Sequence, residues 1–416
     1  MFTYANILEY ESNVRYYSKH FPGVFSHAKG SFIYNKQNKA YLDFFSGAGA
    51  LNYGHNNSVF KTALIRYINN AGIVHGLDMS TPAHLKFLQN FHDIILKKRN
   101  LDYKIQFTGP TGANAVEAAL KLARKFTSRK NICYFKDSYH GLSLGALSVS
   151  DSPKRKENIH ITFPHTLIAP YDIPGSTELV LIQLREMIET LTPEELPAAF
   201  ILETVQGEGG VNVASEAWLK GVSDIARQFG ILLIVDDIQV GCGRTGYFFS
   251  FEPYPIYPDI VCLSKSISGY GLPLAVLLLR PSVDVWESGE HNGTFRSNNL
   301  ALLTAQIALN FWKNDRLQGA ILEKAAILHE NLAYLVDQYP YHKSCVKGRG
   351  LIQGIEWADD SIASLVAQAA FQEGLIIETS GKRNQVLKIL PALTISQSNL
   401  IKGIHIIDRC MKKIMG

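Results

Sequence analysis

The run Ile231–Val235 reads Ile-Leu-Leu-Ile-Val without a polar interruption and ends in two aspartates, Asp236 and Asp237. A strand exposed on one face alternates apolar and polar residues. A continuous apolar run belongs instead to a strand covered on both faces, as in parallel sheets packed between helices. Similar short runs occur at Asn131–Phe135, Ala199–Leu202, Ile260–Leu263 and Leu274–Leu279, with helical patterns at Asn114–Phe126, Glu216–Phe229 and Leu300–Phe311. Strands and helices in this alternation predict an α/β layered architecture. At 416 residues the chain exceeds what one hydrophobic core usually organises, so two domains are expected.

Two flanking regions have a different texture. The segment SFIYNKQNKAYLDFF predicts a hairpin around Lys36–Gln37–Asn38–Lys39, followed by the glycine-rich Gly47–Ala48–Gly49. Beyond about residue 322 a long helical stretch precedes Gly348–Arg349–Gly350 and the strand-like Leu351–Trp357. No internal repeat interrupts this order.

Composition narrows the function classes. With 46% apolar and 19% charged residues the chain reads as globular rather than disordered, and no stretch reads as a membrane span. The net charge of +4 is spread thinly and forms no basic stripe, so no nucleic-acid partner is expected. Lys97–Lys98–Arg99 reads as a solvated helix end. Cys133, Cys242, Cys262, Cys345 and Cys410 are scattered and form no C-x-x-C pair, which fits free thiols in strands and loops of a reducing compartment. The N-terminus MFTYANILEYESNVRYYSKH has acidic residues and lacks the uninterrupted apolar core of a signal peptide, and the expected location is the cytoplasm.

Three segments carry candidate chemistry. In FTGPTGANAVEAALKLARKF a glycine-bearing turn leads into a helix with Val116, Ala119, Leu120 and Ala123 on one stripe, and Glu117 and Lys121 are spaced to pair on its outer face. Free N–H groups at such a helix start can hold an anion, with a hydroxyl from Thr108 or Thr111, although the same sequence also suits a plain turn. Neither a dinucleotide fingerprint nor a P-loop is present. Asp236 stands at the C-terminal end of its strand, where open α/β sheets bind ligands. There it could bind a metal or a sugar hydroxyl, pair with a cationic ring nitrogen, or simply cap the strand. No second cluster of ligand residues supports the metal. Lys265, between Ser264 and Ser266 beyond another strand, is either a solvated charge or a desolvated amine able to form a Schiff base.

Taken in order, TGPTGANAVEAA, YHG, ETVQGEGG, VDDIQVGCGRTG, PDIVCLSKSISG and GTFRSNNLA resemble the class III aminotransferases of the fold type I pyridoxal-phosphate superfamily, over essentially the whole chain. The resemblance implies an α/β fold with a mostly parallel central sheet in a large domain, plus a smaller α+β domain built from both chain ends. The implied boundaries are 1–70 and 323–416 for the small domain and 71–322 for the large one. It implies pyridoxal 5′-phosphate as cofactor and a homodimer or tetramer with active sites at the subunit interface. Lys265 would hold the cofactor as a Schiff base and move the proton, Asp236 would pair with the ring nitrogen, and Tyr139 would stack on the ring. Gln239 would lie near the phenolic oxygen. Thr111, Gly112 and Ala113 would meet the phosphate, with Thr294 reaching in from the other subunit. Glu208, Lys388 and Arg296 would face the substrates, with Glu203 at the same acidic strand end, while Arg244 reads as structural.

Within the family, YLDFFSGAGALNYGHNN, HGLDMST and GLIIETSG resemble the branch that exchanges the 4-amino group of L-2,4-diaminobutyrate with 2-oxoglutarate, as in ectoine biosynthesis. The other readings are an ornithine, GABA or similar terminal-amine donor, a racemase or aminomutase on the same fold, and a non-catalytic descendant. Four departures from the family pattern stand out. Asp237 replaces a frequent Glu, Ala113 lacks a hydroxyl, and Ser297 stands where Gly is frequent. Lys388 takes the place of an arginine that binds the oxo-acid carboxylate. Lys388 then either performs that task as a point charge or is a surface charge.

Overall fold

The computed structural model describes Ile7 and residues 9–416; residues 1–6 and 8, part of the N-terminus read above, lie outside the described residues. Its centre is a seven-stranded sheet in the order Lys104–Phe107, Val276–Leu279, Ile260–Leu263, Leu232–Asp236, Ala199–Leu202, Ile132–Phe135 and Thr166–Ala169. Val276–Leu279 runs antiparallel to both its neighbours, and the remaining pairings are parallel. Six strands therefore point the same way, and their C-terminal ends share one edge.

The two faces of this sheet bury different residues, which explains the unbroken apolar run. Leu233 and Val235 join Phe200, Leu202 and Trp218 in one core. Leu232 and Ile234 join Ala115, Ala119 and Ile201 in the other. Each such side chain contributes about 1.5–3 kcal/mol by leaving water, so a polar residue would be costly on either face.

The helix Gly112–Thr127 lays Val116, Ala119, Leu120 and Ala123 against the second core, as its stripe predicts. Its charged pair behaves differently from expectation. Glu117 accepts from Ser143 Oγ and from the Ala146 N–H at 3.1 Å, while Lys121 Nζ donates to Glu290 O at 2.6 Å. Tertiary donors for Glu117 and a tertiary acceptor for Lys121 win over the weak exposed i,i+4 pair. The helix Glu216–Gln228 starts where Ser215 accepts from the Trp218 N–H, and Asn298 caps Asn299–Asn310 similarly.

Three smaller sheets accompany the seven-stranded one, the shortest of them pairing Val205–Gln206 with Asn212–Val213. Phe25–Lys29, Phe32–Asn35 and Ala40–Asp43 form an antiparallel meander, and Leu375–Ile376 from the far end of the chain adds in parallel to Ala40–Asp43. Ser344–Arg349, Ile352–Trp357, Val386–Ile389 and Glu378–Ser380 form a four-stranded antiparallel sheet.

Two readings of single residues need correction. The run Lys97–Arg99 forms a short 3-10 turn, but Arg99 is not solvated: its side chain is buried and pairs with Glu252 at 2.8 Å. All five cysteines are free, yet Cys410 lies in the helix Gln397–Met415 rather than in a strand or loop. Among the described residues no helix is long and apolar enough to cross a membrane, and no cluster of His, Cys, Asp and Glu could hold a metal ion.

Candidate active site

Five chain segments leave the common strand edge and converge. Asp236 ends its strand, Lys265 follows Leu263 by two residues, and Glu203 directly follows Leu202. Tyr139 lies four residues beyond Phe135, and the helix start at Gly112 follows the strand ending at Phe107. Strand ends in an open sheet thus gather residues separated by more than a hundred positions.

Asp236 is buried and fixed from two sides. Its carboxylate accepts from the Ile238 N–H at 3.1 Å and contacts His140 Nδ1 at 2.7 Å. An ionised carboxylate can only accept, so Nδ1 carries the proton of that bond. His140 Nε2 is itself buried with no hydrogen-bond partner among the described residues. Asp236 is therefore presented by its own turn and by a histidine that the sequence reading left without a role.

Lys265 opens a one-turn 3-10 helix with a left-handed φ of 48°. For a residue with a Cβ this conformation costs roughly 1–3 kcal/mol and persists only where neighbours enforce it. Ser266 Oγ donates to Gly49 O and anchors this turn to the Gly47–Gly49 segment. Burial lowers the Lys265 pKa below the usual lysine range, against the upward pull of Glu208. Lys388, Asp236 and Glu378 lie close enough to act on the same amine. Among the described residues Nζ has no hydrogen-bond or ion-pair partner.

Glu203 receives the Tyr139 N–H at 3.1 Å. Burial first, and Asp236 next, push the Glu203 carboxyl well above the usual range. Burial likewise raises the Tyr139 phenol, and Asp236, Glu203 and Glu208 all lie within its electrostatic reach. Gly141 lets the Tyr139 segment pass close to the helix start. Its φ is +130°, and a Cβ there would sit 2.9 Å from the Ala113 Cβ.

Gln239 bridges toward the substrate side. Its Nε2 donates to Glu208 Oε1 at 2.9 Å and to Ala48 O at 3.2 Å, while its Oε1 is buried and unpartnered among the described residues. Gly207 is required by this approach, since a Cβ there would fall 1.8 Å from Gln239 Oε1.

Lys388 is fully buried, which rules out the surface-charge reading. Its ammonium lies 2.7 Å from Glu208 Oε1 and 2.9 Å from Glu378 Oε1. Burial alone would lower the Lys388 pKa, but the two carboxylates outweigh it and raise it. Burial also works against ionising Glu208, yet Lys388 and Lys265 hold that carboxyl at about 2. Glu378 is the less compensated partner, pushed up to about 7 by burial. Glu378 faces Lys388 directly across two antiparallel strands. Tyr16 and Tyr17 stand beside this group and with Glu378 line a cavity of about 70 Å³. His140, Glu378, Tyr16 and Tyr17 escaped the sequence reading. For His140 the YHG segment was a visible signal, whereas the other three depend on register and chain return.

At the start of Gly112–Thr127, Asn114 Oδ1 accepts from the Thr111 N–H at 3.2 Å and its hydroxyl at 2.8 Å. The first N–H groups of a helix have no acceptor within it, so Gly112 and Ala113 offer donors at a positive dipole end. Thr294 and Arg296 are not gathered into this cluster. Arg296 is ion-paired with Asp78, and Thr294 is exposed on the same segment. Together with Asp78, Gln106 and Trp286, Arg296 lines a separate cavity of about 300 Å³. Arg244 is fully buried, donating to Leu351 O at 2.9 Å and to Asn52 Oδ1 at 2.6 Å, a clamp between distant segments.

These features suit a phosphorylated pyridine aldehyde: a desolvated amine, an oriented carboxylate for a ring nitrogen, two orphaned polar atoms and an anion-ready helix start. A model of the family described as aminotransferase class-III matches residues 14–411. The diaminobutyrate–2-oxoglutarate transaminase of Sporosarcina pasteurii is 48% identical over 412 residues, covering 98% of this chain and 97% of that protein. The protein of the same name from Halalkalibacterium halodurans is 50% identical over 416 residues, covering 99% and 97%. Among solved structures, the ornithine aminotransferase of Toxoplasma gondii matches with a TM-score of 0.87 at 26% identity, covering 100% of this chain and 96% of that one. The chain belongs to the class-III aminotransferases and is a pyridoxal-phosphate-dependent transaminase.

Proposed function

We propose that this transaminase moves the 4-amino group of L-2,4-diaminobutyrate to 2-oxoglutarate, giving L-aspartate 4-semialdehyde and L-glutamate, reversibly. The observation that carries the reading is near-half identity along the full length of transaminases bearing that name. The buried Glu208–Lys388–Glu378 group agrees with it, since it provides both charge signs for substrates whose reacting ends differ in charge.

In this reading Lys265 would hold the cofactor covalently through Nζ and Asp236 would keep the ring nitrogen protonated, with His140 orienting Asp236. Tyr139 would cover the ring, Gln239 would meet the phenolic oxygen, and Thr111, Gly112 and Ala113 would receive the phosphate. The cofactor, when bound, supplies an electron sink that acidifies the C–H bond beside the donor nitrogen. Lys265 Nζ, freed when the donor amine takes its place on the cofactor, would take the proton from that carbon and deliver it on the cofactor side of the donor nitrogen. A lowered pKa keeps part of the amine unprotonated and ready for this work. Glu208 and Lys388 would lie on the substrate side, with Glu208 releasing Lys388 to a substrate carboxylate when the oxo acid enters.

The working unit in this reading is a homodimer. Phe295 and Met79 are 64% and 63% exposed, and Ile73, Val74 and Leu77 are also exposed. The two segments adjoin, because Ser297 Oγ donates to Leu77 O and His75 packs against the Phe295 ring. Exposed apolar residues gathered in this way support an interface here, and from it Thr294 would reach a partner's phosphate site.

The test is steady-state turnover with diaminobutyrate, ornithine, GABA and alanine, each with 2-oxoglutarate. Diaminobutyrate should give the highest kcat/KM, with equimolar glutamate and aspartate semialdehyde. A higher value for another donor would retain the family and replace the substrate.

A further inference from the structure

Lys388 is shared by two carboxylates that belong to different parts of the chain. Glu208 comes from the loop after Ala199–Leu202, and Glu378 faces Lys388 across the strand pair Glu378–Ser380 and Val386–Ile389. One ammonium against two carboxylates, Glu378 buried and Glu208 30% exposed, leaves a surplus negative charge next to the Lys265 amine. Counterions and water have little access to the Lys388–Glu378 pair, since Lys388 is fully buried and Glu378 is 8% exposed.

We propose that Glu378 is a specificity-determining residue, whose charge biases the pocket toward a donor with a cationic end and against a dicarboxylate acceptor until that charge is relieved. The inference rests on the substrates proposed above, because diaminobutyrate carries net charge +1 and 2-oxoglutarate −2. A field that acts on a difference of three charges separates the two far more than either alone. After Glu208 releases it, Lys388 receives the acceptor carboxylate while still paired with Glu378, and removing the charge on Glu378 leaves the whole ammonium to the acceptor.

The groups facing Glu378 are Lys388 on the adjacent strand, Glu208, Lys265, and Tyr16, Tyr17 and His20 from the N-terminal segment. Burial places its titration near 7. The surplus charge is present above that pH and lost below it, so the acceptor should bind more tightly as pH falls through 7.

The deciding experiment is calorimetric binding of glutarate, an unreactive dicarboxylate, to the purified holoenzyme at pH 6 and pH 8.5. Relative to the parent enzyme, Glu378→Gln should bind glutarate about tenfold more tightly at pH 8.5 and lose most of the pH dependence. Glu378→Asp, which keeps the charge, should stay close to the parent. In turnover, Glu378→Gln should lower KM for 2-oxoglutarate and raise KM for the diamino donor. Unchanged glutarate affinity in a folded, cofactor-loaded Gln variant overturns the inference, as does an equal loss of kcat for every substrate without a change in glutarate binding. Because glutarate binding involves no donor, failure of the donor assignment would show only in the substrate panel.

Discussion

Burial lowers the basicity of Lys265, whereas two carboxylates raise that of Lys388, so two buried lysines of one pocket are prepared for opposite tasks. The first becomes an amine that can bond and exchange protons, and the second a permanent cation. Replacing Lys265 by alanine should reduce kcat by at least about 10³-fold, the scale set by loss of a positioned base, without lowering the far-ultraviolet circular dichroism. Rapid-mixing absorbance after adding donor would show it. Asp237 behaves differently from its neighbour Asp236. It is buried, accepts the Ser250 N–H at 3.0 Å, and has its carboxyl pushed by burial from 3.8 to about 7. A raised carboxyl holds its proton more tightly in the native state, so stability falls as pH rises from about 4 to about 7. Asp237→Asn should flatten that slope and add about 2–4 kcal/mol at pH 8, measured by urea unfolding across pH.

Elements explain why some residues were legible and others were not. The strand Leu232–Asp236 could be read directly, because an apolar run ending in aspartate has few other uses. Lys265 could be singled out by its place after a strand, but its left-handed turn could not, since that is imposed by packing against Gly49. Glu378 lies in the GLIIETSG segment, but its role did not show there for a related reason. Its meaning depends on a strand register that puts it opposite Lys388, and no local pattern encodes that pairing. Glu117 was misread because helical spacing suggests Lys121, whereas the fold brings in Ser143 and Ala146. The contact between the Tyr139 segment and the helix Gly112–Thr127 has its own test. Gly141→Ala combines an unfavourable φ with a clash against Ala113, so it should destabilise the protein by about 1–3 kcal/mol. Weaker retention of the cofactor on dialysis should accompany the lower melting temperature.

For the whole molecule, five of the seven strands of the central sheet were foreseeable from their apolar texture, with boundaries nearly right, whereas the partly exposed strands Lys104–Phe107 and Thr166–Ala169 carried too little of it to be read. The return of the chain was harder to see. Leu375–Ile376 completes a sheet begun by Phe25–Asp43, and the sequence offers no local signal that these segments meet. The exposed surface around Phe295 belongs to this scale as well. On the dimer reading, Phe295→Asp should shift sedimentation equilibrium toward monomer by at least an order of magnitude in Kd. Thr294→Ala should weaken cofactor retention while leaving the assembly intact. A parent enzyme that sediments as a monomer at micromolar concentration would oppose both expectations.

The most direct measurement is a single half-reaction on cofactor-loaded enzyme, with diaminobutyrate, ornithine, GABA and alanine added separately and no oxo acid present. Diaminobutyrate should bleach the visible absorption of the holoenzyme fastest and release one equivalent of aspartate semialdehyde per site, and 2-oxoglutarate should then restore the band with release of glutamate. Faster bleaching by another donor would contradict the substrate, and an unchanged spectrum with every donor would contradict the catalytic roles given to Lys265 and Asp236.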